Sequence, residues 1–233
     1  MILPVRLTIA LACASVFCCL TARPVASITG SEVIERMEKS FAKSKTYSAR
    51  FEQRFYWAIL DKKVTRKGGI YTRRPSEFRL EIDDGLILVG DGSAIWHYEP
   101  DNEQVLVSSY SKELPTPWEI LVEHSEQFSP VAVKEVELEG RPCYEVIMAP
   151  KSVSDPLAGN GGVEGMKVWV DKKRWHLLMV EETAANEDVT TYILSRHKVN
   201  DKIADDRFVF TPTSDVDVID RRTPSSPDKP QEQ

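Results

Sequence analysis

Beyond residue 27 no apolar run approaches the roughly 18 to 20 residues that a helical membrane span needs, which leaves the expectation of a soluble product. Cysteine is scarce in the same stretch. Cys13, Cys18 and Cys19 precede it and Cys143 alone falls within it, so an internal disulfide is excluded and the fold must stand on packing. Histidine occurs at positions 97, 124, 176 and 197, one per expected element, with no spacing that would converge two ligands. HExxH, GxSxG and CxxC are all missing, and with them the usual sequence routes to a zinc protease, a nucleophile elbow or a dithiol site. Asp215, Asp217 and Asp220 lack the glycine and terminal glutamate of an EF-hand loop, and they read as a solvated strand end. Gly159, Gly161 and Gly162 precede no Lys-Ser/Thr pair and no helix, which excludes a phosphate-binding loop. Neither an enzyme nor a bound cofactor or metal is expected.

The first twenty-seven residues have their own character. Arg6 is followed by an apolar stretch over 7–20 and by small residues over 22–27, the pattern of a secretory signal peptide. Cleavage after Ser27 puts Val25 at the minus-three position. Cys18 and Cys19 follow Val16 and Phe17 rather than small residues, and Cys13 comes too early in the apolar run, so a lipid-anchored N-terminus is not expected. Removing the leader takes away Arg6 and Arg23 and no acidic side chain. Of the 30 basic residues 28 remain against 36 acidic ones, a net charge of about −8 that excludes nucleic acid as a partner.

What is there is mostly strand. Thr29 and Glu32 form a capping-box pair ahead of a helix whose Val33, Ile34, Met37 and Phe41 recur at helical spacing. From residue 47 the period changes to two, placing Tyr47, Ala49, Phe51, Phe55, Trp57 and Ile59 on one face, with Gln53 the single polar residue among them. A second strand over 64–73 carries Gly68 and Gly69, which suggest a bulge or bend. The basic run Lys62, Lys63, Arg66, Lys67, Arg73 and Arg74 reads as a solvated strand edge defended by charge. FRLEID, residues 78–83, alternates apolar Phe78, Leu80 and Ile82 with charged residues. Gly90, Asp91 and Gly92 supply a tight turn with positive φ at both glycines, and Ala94, Trp96 and Tyr98 share a face of the next strand. Residues 114–128 form a proline-bounded short helix with Trp118, Ile120, Leu121 and Val122 inward. Strands resume over 131–138, 143–148, 166–170, 175–181, 189–196 and 207–211, around a loop-like 152–165.

Some ten or eleven antiparallel strands with two or three short helices make an α+β domain, a curved antiparallel sheet with covering helices. So few helices could hardly cover so wide a sheet, and a large bare apolar face would be hazardous. The sheet is therefore expected to curl and to keep a partly unfilled apolar hollow. One domain spans 28–222, and the Pro- and Ser-rich tail over 223–233 is expected to be disordered.

Several blocks in order give the chain a resemblance to the LolA family, the periplasmic outer-membrane lipoprotein carrier proteins. Phe51 and Gln53 match its F-x-Q. Gly69, Tyr71, Arg74, Pro75, Phe78 and Arg79 match a block ending R-P-x-x-F-R. Asp91, Gly92, Trp96, Tyr98, Pro100, Gln104 and Val105 match D-G-x-x-x-W-x-Y-x-P-x-x-x-Q-V, and the 208–212 stretch FVFTP is a weaker fourth match. The family's doubled proline is Pro212 followed by Thr213 here, and the 152–165 loop is enlarged.

The resemblance implies an unclosed, half β-barrel with short helices as a lid over an apolar cavity. It implies Arg74 as the residue that holds the lid. The cavity would be lined by Phe51, Phe55, Trp57, Phe78, Leu80, Ile82, Trp96 and Tyr98. The implied cargo is acylated lipoproteins, and the implied partners are an inner-membrane ABC exporter of the Lol type and an outer-membrane receptor of LolB type, with the carrier itself a monomer in the periplasm. Two other binding roles use the same fold, an RseB-like sensor domain and a carrier of another lipid. The LolB receptor also shares it but is lipid-anchored, and the missing lipobox argues against that role.

Overall fold

The computed structural model describes residues 27–110, 114–122, 125–151 and 162–222. The expected leader up to residue 26, residues 152–161 of the expected loop and the expected tail lie outside these residues, and the rest of that loop leads into strand at Val163. Helix α1 (Gly30–Ala42) opens with the capping box read from the sequence: the Thr29 hydroxyl accepts from the Glu32 amide at 3.2 Å, and the Glu32 carboxylate accepts from the Thr29 amide at 2.8 Å. Val33, Ile34 and Met37 form its buried stripe. The helix sits close on the sheet, since a Cβ on Gly30 would lie 2.8 Å from Pro130 Cβ.

Twelve strands follow: β1 (Thr46–Trp57), β2 (Lys62–Arg73), β3 (Glu77–Ile82), β4 (Ile87–Asp91), β5 (Ala94–Glu99), β6 (Gln104–Ser109), β7 (Phe128–Leu138), β8 (Arg141–Pro150), β9 (Val163–Asp171), β10 (Leu177–Ala184), β11 (Val189–Val199) and β12 (Asp217–Asp220). Helix α2 (Pro117–Leu121) lies between β6 and β7. All twelve strands form one sheet in the order β12-β6-β5-β4-β3-β2-β1-β11-β10-β9-β8-β7. The ends never pair with each other, so the barrel is unclosed, as expected. Consecutive strands are antiparallel neighbours except at two places: β6 crosses to β7 at the far edge, carrying α2 on the way, and β11, beside β1, is followed by β12 at the opposite edge. β12 adds to β6 in parallel, a pairing the expected all-antiparallel count did not include.

Strand parity sorts the side chains onto two faces. On the inner face Leu194 pairs with Phe51, Phe51 with Gly68, Gly68 with Ile82, and Ile70 with Leu80. Val168 stands between Val146 and Val180 in the same way. These residues join Val33, Ile34 and Met37 of α1 and Trp118 and Leu121 of α2 in one buried cluster. The helices therefore cover the inner face, and the hollow is much more filled than expected.

Both expectations about glycines in this region need correction. The ladders on either side of Gly68 and Gly69 run without a register shift, so there is no bulge. Gly68 is required because a Cβ there would lie 1.9 Å from the Glu81 carbonyl oxygen. Positive φ occurs at Gly92 (+91°) but not at Gly90. Gly90 instead makes room for Phe78, whose Cε1 would stand 2.3 Å from an added Cβ.

The outer face carries a second cluster, in which Trp96 and Tyr98 pack with Ala94, Val105, Val107, Phe210 and Val216. Residues 207–211 are not the expected strand. A 3₁₀ turn at Asp205–Phe208 runs into extended chain laid across the outside of the sheet. Arg207 holds it there through Glu81 at 2.9 and 3.0 Å, and Arg73 through Asp205, with its guanidinium 4.7 Å from the Phe208 ring. The Asp91 carboxylate organises the neighbouring turn, accepting from the Ser93 and Ala94 amides and from Trp96 Nε1, each at 2.8 Å. Burial works against its charge, but these bonds together hold the carboxyl below the ordinary aspartate range.

Candidate functional site

The inner face meets solvent beneath the two helices. α2 is only five residues long, built by Pro117 at its first turn and by a second capping box, in which Thr116 and Glu119 exchange bonds. Between the helices and the sheet lies a cleft open to solvent, with a cavity volume of about 40 Å³. Met37 and Phe41 of α1, Trp118 of α2, Tyr47 of β1 and the 175–177 turn into β10 form its walls. Like charge weakens the junction of the helices. Burial raises the Glu38 pKa, and repulsion from Glu119 on α2 and then Glu35 adds to the effect.

A buried donor at this cavity is unmatched among the described residues: Trp118 is 6% exposed, yet its Nε1, like His197 Nε2 nearby, has no hydrogen-bond partner there. Such a group carries a desolvation cost unless something enters to accept from it. A polar cluster stands next to it. The Tyr47 hydroxyl shares a 2.8 Å hydrogen bond with His197 Nδ1, and the His197 and His176 rings are 4.9 Å apart. The sequence reading separated all the histidines; β1 pairing with β11, and the turn into β10, bring these two together. Burial, then the neighbouring His176, then Arg141 push the His197 pKa down to about 4. Burial likewise lowers His176 and raises Tyr47. Among the described residues no group of three or more His, Cys, Asp or Glu stands ready for a metal. Cys143 is fully buried, and burial raises its pKa, as befits an inert thiol.

Arg74 lies at the rim. Its Nε donates to the Ser44 carbonyl at 3.1 Å, just past the end of α1, and its guanidinium stands 5.7 Å from the Phe41 ring. A carbonyl just past a helix end suits a guanidinium, and the helix it follows is α1. Arg73 faces the other way and pairs with Glu77 at 2.6 Å and with Asp205.

Of the residues expected to line the cavity, Phe51, Leu80 and Ile82 lie together in the inner cluster. Phe78 is buried near Gly90, with the Tyr110 ring 6.1 Å away. Phe55 and Trp57 are half-buried and stacked at 6.3 Å on the same face of β1, toward its far end. Trp96 and Tyr98 are not brought to the cavity. Val89 pairs with Trp96 and Ile87 with Tyr98, a register that turns both rings outward onto Phe210. Missed altogether were Trp118 Nε1 and the pair of histidines, for which pairing between distant strands is the only signal.

A family model described as outer membrane lipoprotein carrier protein LolA matches residues 42–211. The outer-membrane lipoprotein carrier protein of Shewanella woodyi is 29% identical over 195 residues, covering 79% of this chain and 86% of the relative. That of Nitrosomonas europaea is 28% identical over 209 residues, with 86% and 93% covered. Among solved structures, an uncharacterized conserved protein from Thermus thermophilus superposes with a TM-score of 0.56 at 15% identity, covering 82% of this chain and 98% of that one. The Pseudomonas aeruginosa MucA/MucB complex contains a chain that superposes at 0.50 and 14% identity, with 82% and 63% covered. These two likenesses are of fold alone.

Proposed function

The chain belongs to the LolA family of outer membrane lipoprotein carrier proteins, and from that membership we propose that it is an exported periplasmic carrier. It takes the acyl chains of lipoproteins beneath its two helices and ferries them from the inner to the outer membrane. The observation that carries the reading is an apolar inner face whose cover at one end is a five-residue helix, with a cavity already open beneath it.

A triacylated lipoprotein exposes some 45 methylenes, and at about 0.8 kcal/mol each their hydration costs on the order of 35 kcal/mol. Crossing an aqueous space requires an apolar host. The cavity itself amounts to only about 40 Å³, room for a few waters and not for an acyl chain, so the chains enter only if the helices move. Arg74 resists that movement by fixing the end of α1. Binding thus stays weak enough to reverse, and cargo passes from an ABC exporter of the Lol type to a LolB-type receptor.

The test uses energised spheroplasts making a labelled lipoprotein, incubated with the purified protein and followed by gel filtration of the supernatant. Labelled lipoprotein in a soluble complex with this chain is the expected result. In the same assay Arg74→Leu takes up cargo and fails to pass it to outer membranes; normal transfer by that variant removes Arg74 from its role. Cargo left on the spheroplasts, while a known carrier releases it in parallel, overturns the proposal in favour of another lipid ligand or a sensor role.

A further inference from the structure

Ile59 and Leu60, at the turn joining β1 to β2, are 82% and 69% exposed. They are adjacent, and they crown the hairpin, where Trp57 pairs with Lys62 as the last rung of the ladder. Two exposed aliphatic side chains in sequence on a turn carry a hydration cost that a solvated loop would avoid with polar residues. Other exposed large apolar residues, such as Val131 and Val209, stand singly.

Just behind the tip the composition changes in layers. Tyr56 and Trp57 come first, each with a lysine over its ring: Lys63 Nζ is 5.4 Å from the Tyr56 centroid and Lys62 Nζ 5.3 Å from that of Trp57. Neither lysine is ion-paired among the described residues. Further along, Arg66 and Lys67 are neutralised by Asp84 and Glu52. Acidic groups near the tip are engaged locally: Asp61 accepts from the Tyr56 hydroxyl, and Asp188 accepts from the Ala58 amide at 2.8 Å. Glu187 lies close enough to raise the Tyr56 pKa, behind Asp61 and burial as causes.

We propose that the β1–β2 hairpin tip is a membrane-docking element that inserts Ile59 and Leu60 into an anionic phospholipid surface. The layering fits that occupant. Aliphatic side chains reach the acyl boundary, the aromatic pair sits at headgroup level, and unpaired lysines meet lipid phosphates. A folded protein partner fits less well, because a stable interface needs about 800 Å² from each side, and a two-residue tip offers no such area. Phe55, stacked on Trp57, and Phe51, stacked on Tyr192, continue the apolar face of β1 from the tip into the inner cluster. Resting on the carrier reading, the tip holds the carrier at the lipid surface by the end of β1 remote from Tyr47 and the cavity.

The experiment is flotation of the purified protein with vesicles of phosphatidylethanolamine and phosphatidylglycerol, and with vesicles of phosphatidylcholine alone. The chain is expected to float with the anionic vesicles and not with the neutral ones. Ile59→Ser with Leu60→Ser weakens binding at least about tenfold, and each of Lys62→Gln and Lys63→Gln about fivefold at low salt. A fluorophore on Leu60→Cys shifts to the blue on binding. Wild-type protein that stays at the bottom of the gradient overturns the proposal, as does a double serine variant that floats like wild type. Binding only to native membranes with their proteins overturns it in favour of a protein partner. These vesicles contain no lipoprotein, so their result is separate from uptake in the spheroplast assay.

Discussion

Lowering the pH should weaken the fold through His197, by an amount that its surroundings set. The folded pKa of about 4 against an ordinary 6.5 is a gap of about 2.5 units, worth about 3 kcal/mol at 1.36 kcal/mol per unit and somewhat less after screening at the rim. In that window the unfolded chain binds a proton at His197 and the folded chain does not. Stability is therefore fully present above pH 6.5, falls as the pH drops below it, and levels off near pH 4. The assay is urea unfolding of wild type and His197→Asn at several pH values from 7.5 to 4. Carboxylates common to both proteins cancel in the difference. The wild type's advantage should shrink by about 2 to 3 kcal/mol between the ends of that range. His176 shifts in the same direction, so His176→Asn is measured alongside to separate the two. A difference that stays flat with pH would refute the account of His197 as a buried neutral ring beside Tyr47.

Two further outcomes follow from the packing. Trp96→Ala should cost about 3 to 5 kcal/mol and speed hydrogen exchange over 205–216, because it removes the Asp91 bond and the wall against Phe210. Under conditions where that variant is folded, uptake of lipoprotein should persist; loss of uptake would place Trp96 in the cavity after all. Thr116→Ala removes the α2 capping box and should cost about 1 kcal/mol. Its signature is faster hydrogen exchange in 117–121 with little change over α1, and equal acceleration of both helices would count against α2 moving separately.

The local alternation of FRLEID was enough to place Phe78, Leu80 and Ile82 on one face, and the D-G-x-x-x-W block was legible because Asp91 and Trp96 answer each other within six residues. The Thr29–Glu32 cap was legible for the same reason. Parity alone says which residues share a face, never which face is inside. Trp96 and Tyr98 looked like cavity aromatics because nothing local reveals that Phe208 and Phe210, more than a hundred residues on, cover the outside of the sheet. Gly90 was read as a turn glycine although its partner is the Phe78 ring on the preceding strand, β3. His176 and His197 stand in separate elements, and only the β1–β11 register carries His197 to Tyr47. Arg74 was placed by resemblance at a helix end; that it should be the end of α1 depends on how closely β2 finishes beside Ser44.

The connection that carries α2 leaves from β6, beside one lip of the open sheet, and arrives at β7, the opposite lip. A cover attached at one end can swing like a door, but this one is a strap fixed to two abutments. Spreading the lips must draw it taut across the opening, and bringing them together must slacken it and let it bow outward. The width of the gutter and the height of its cover are then a single mechanical variable. Whatever grips either lip has a handle on both.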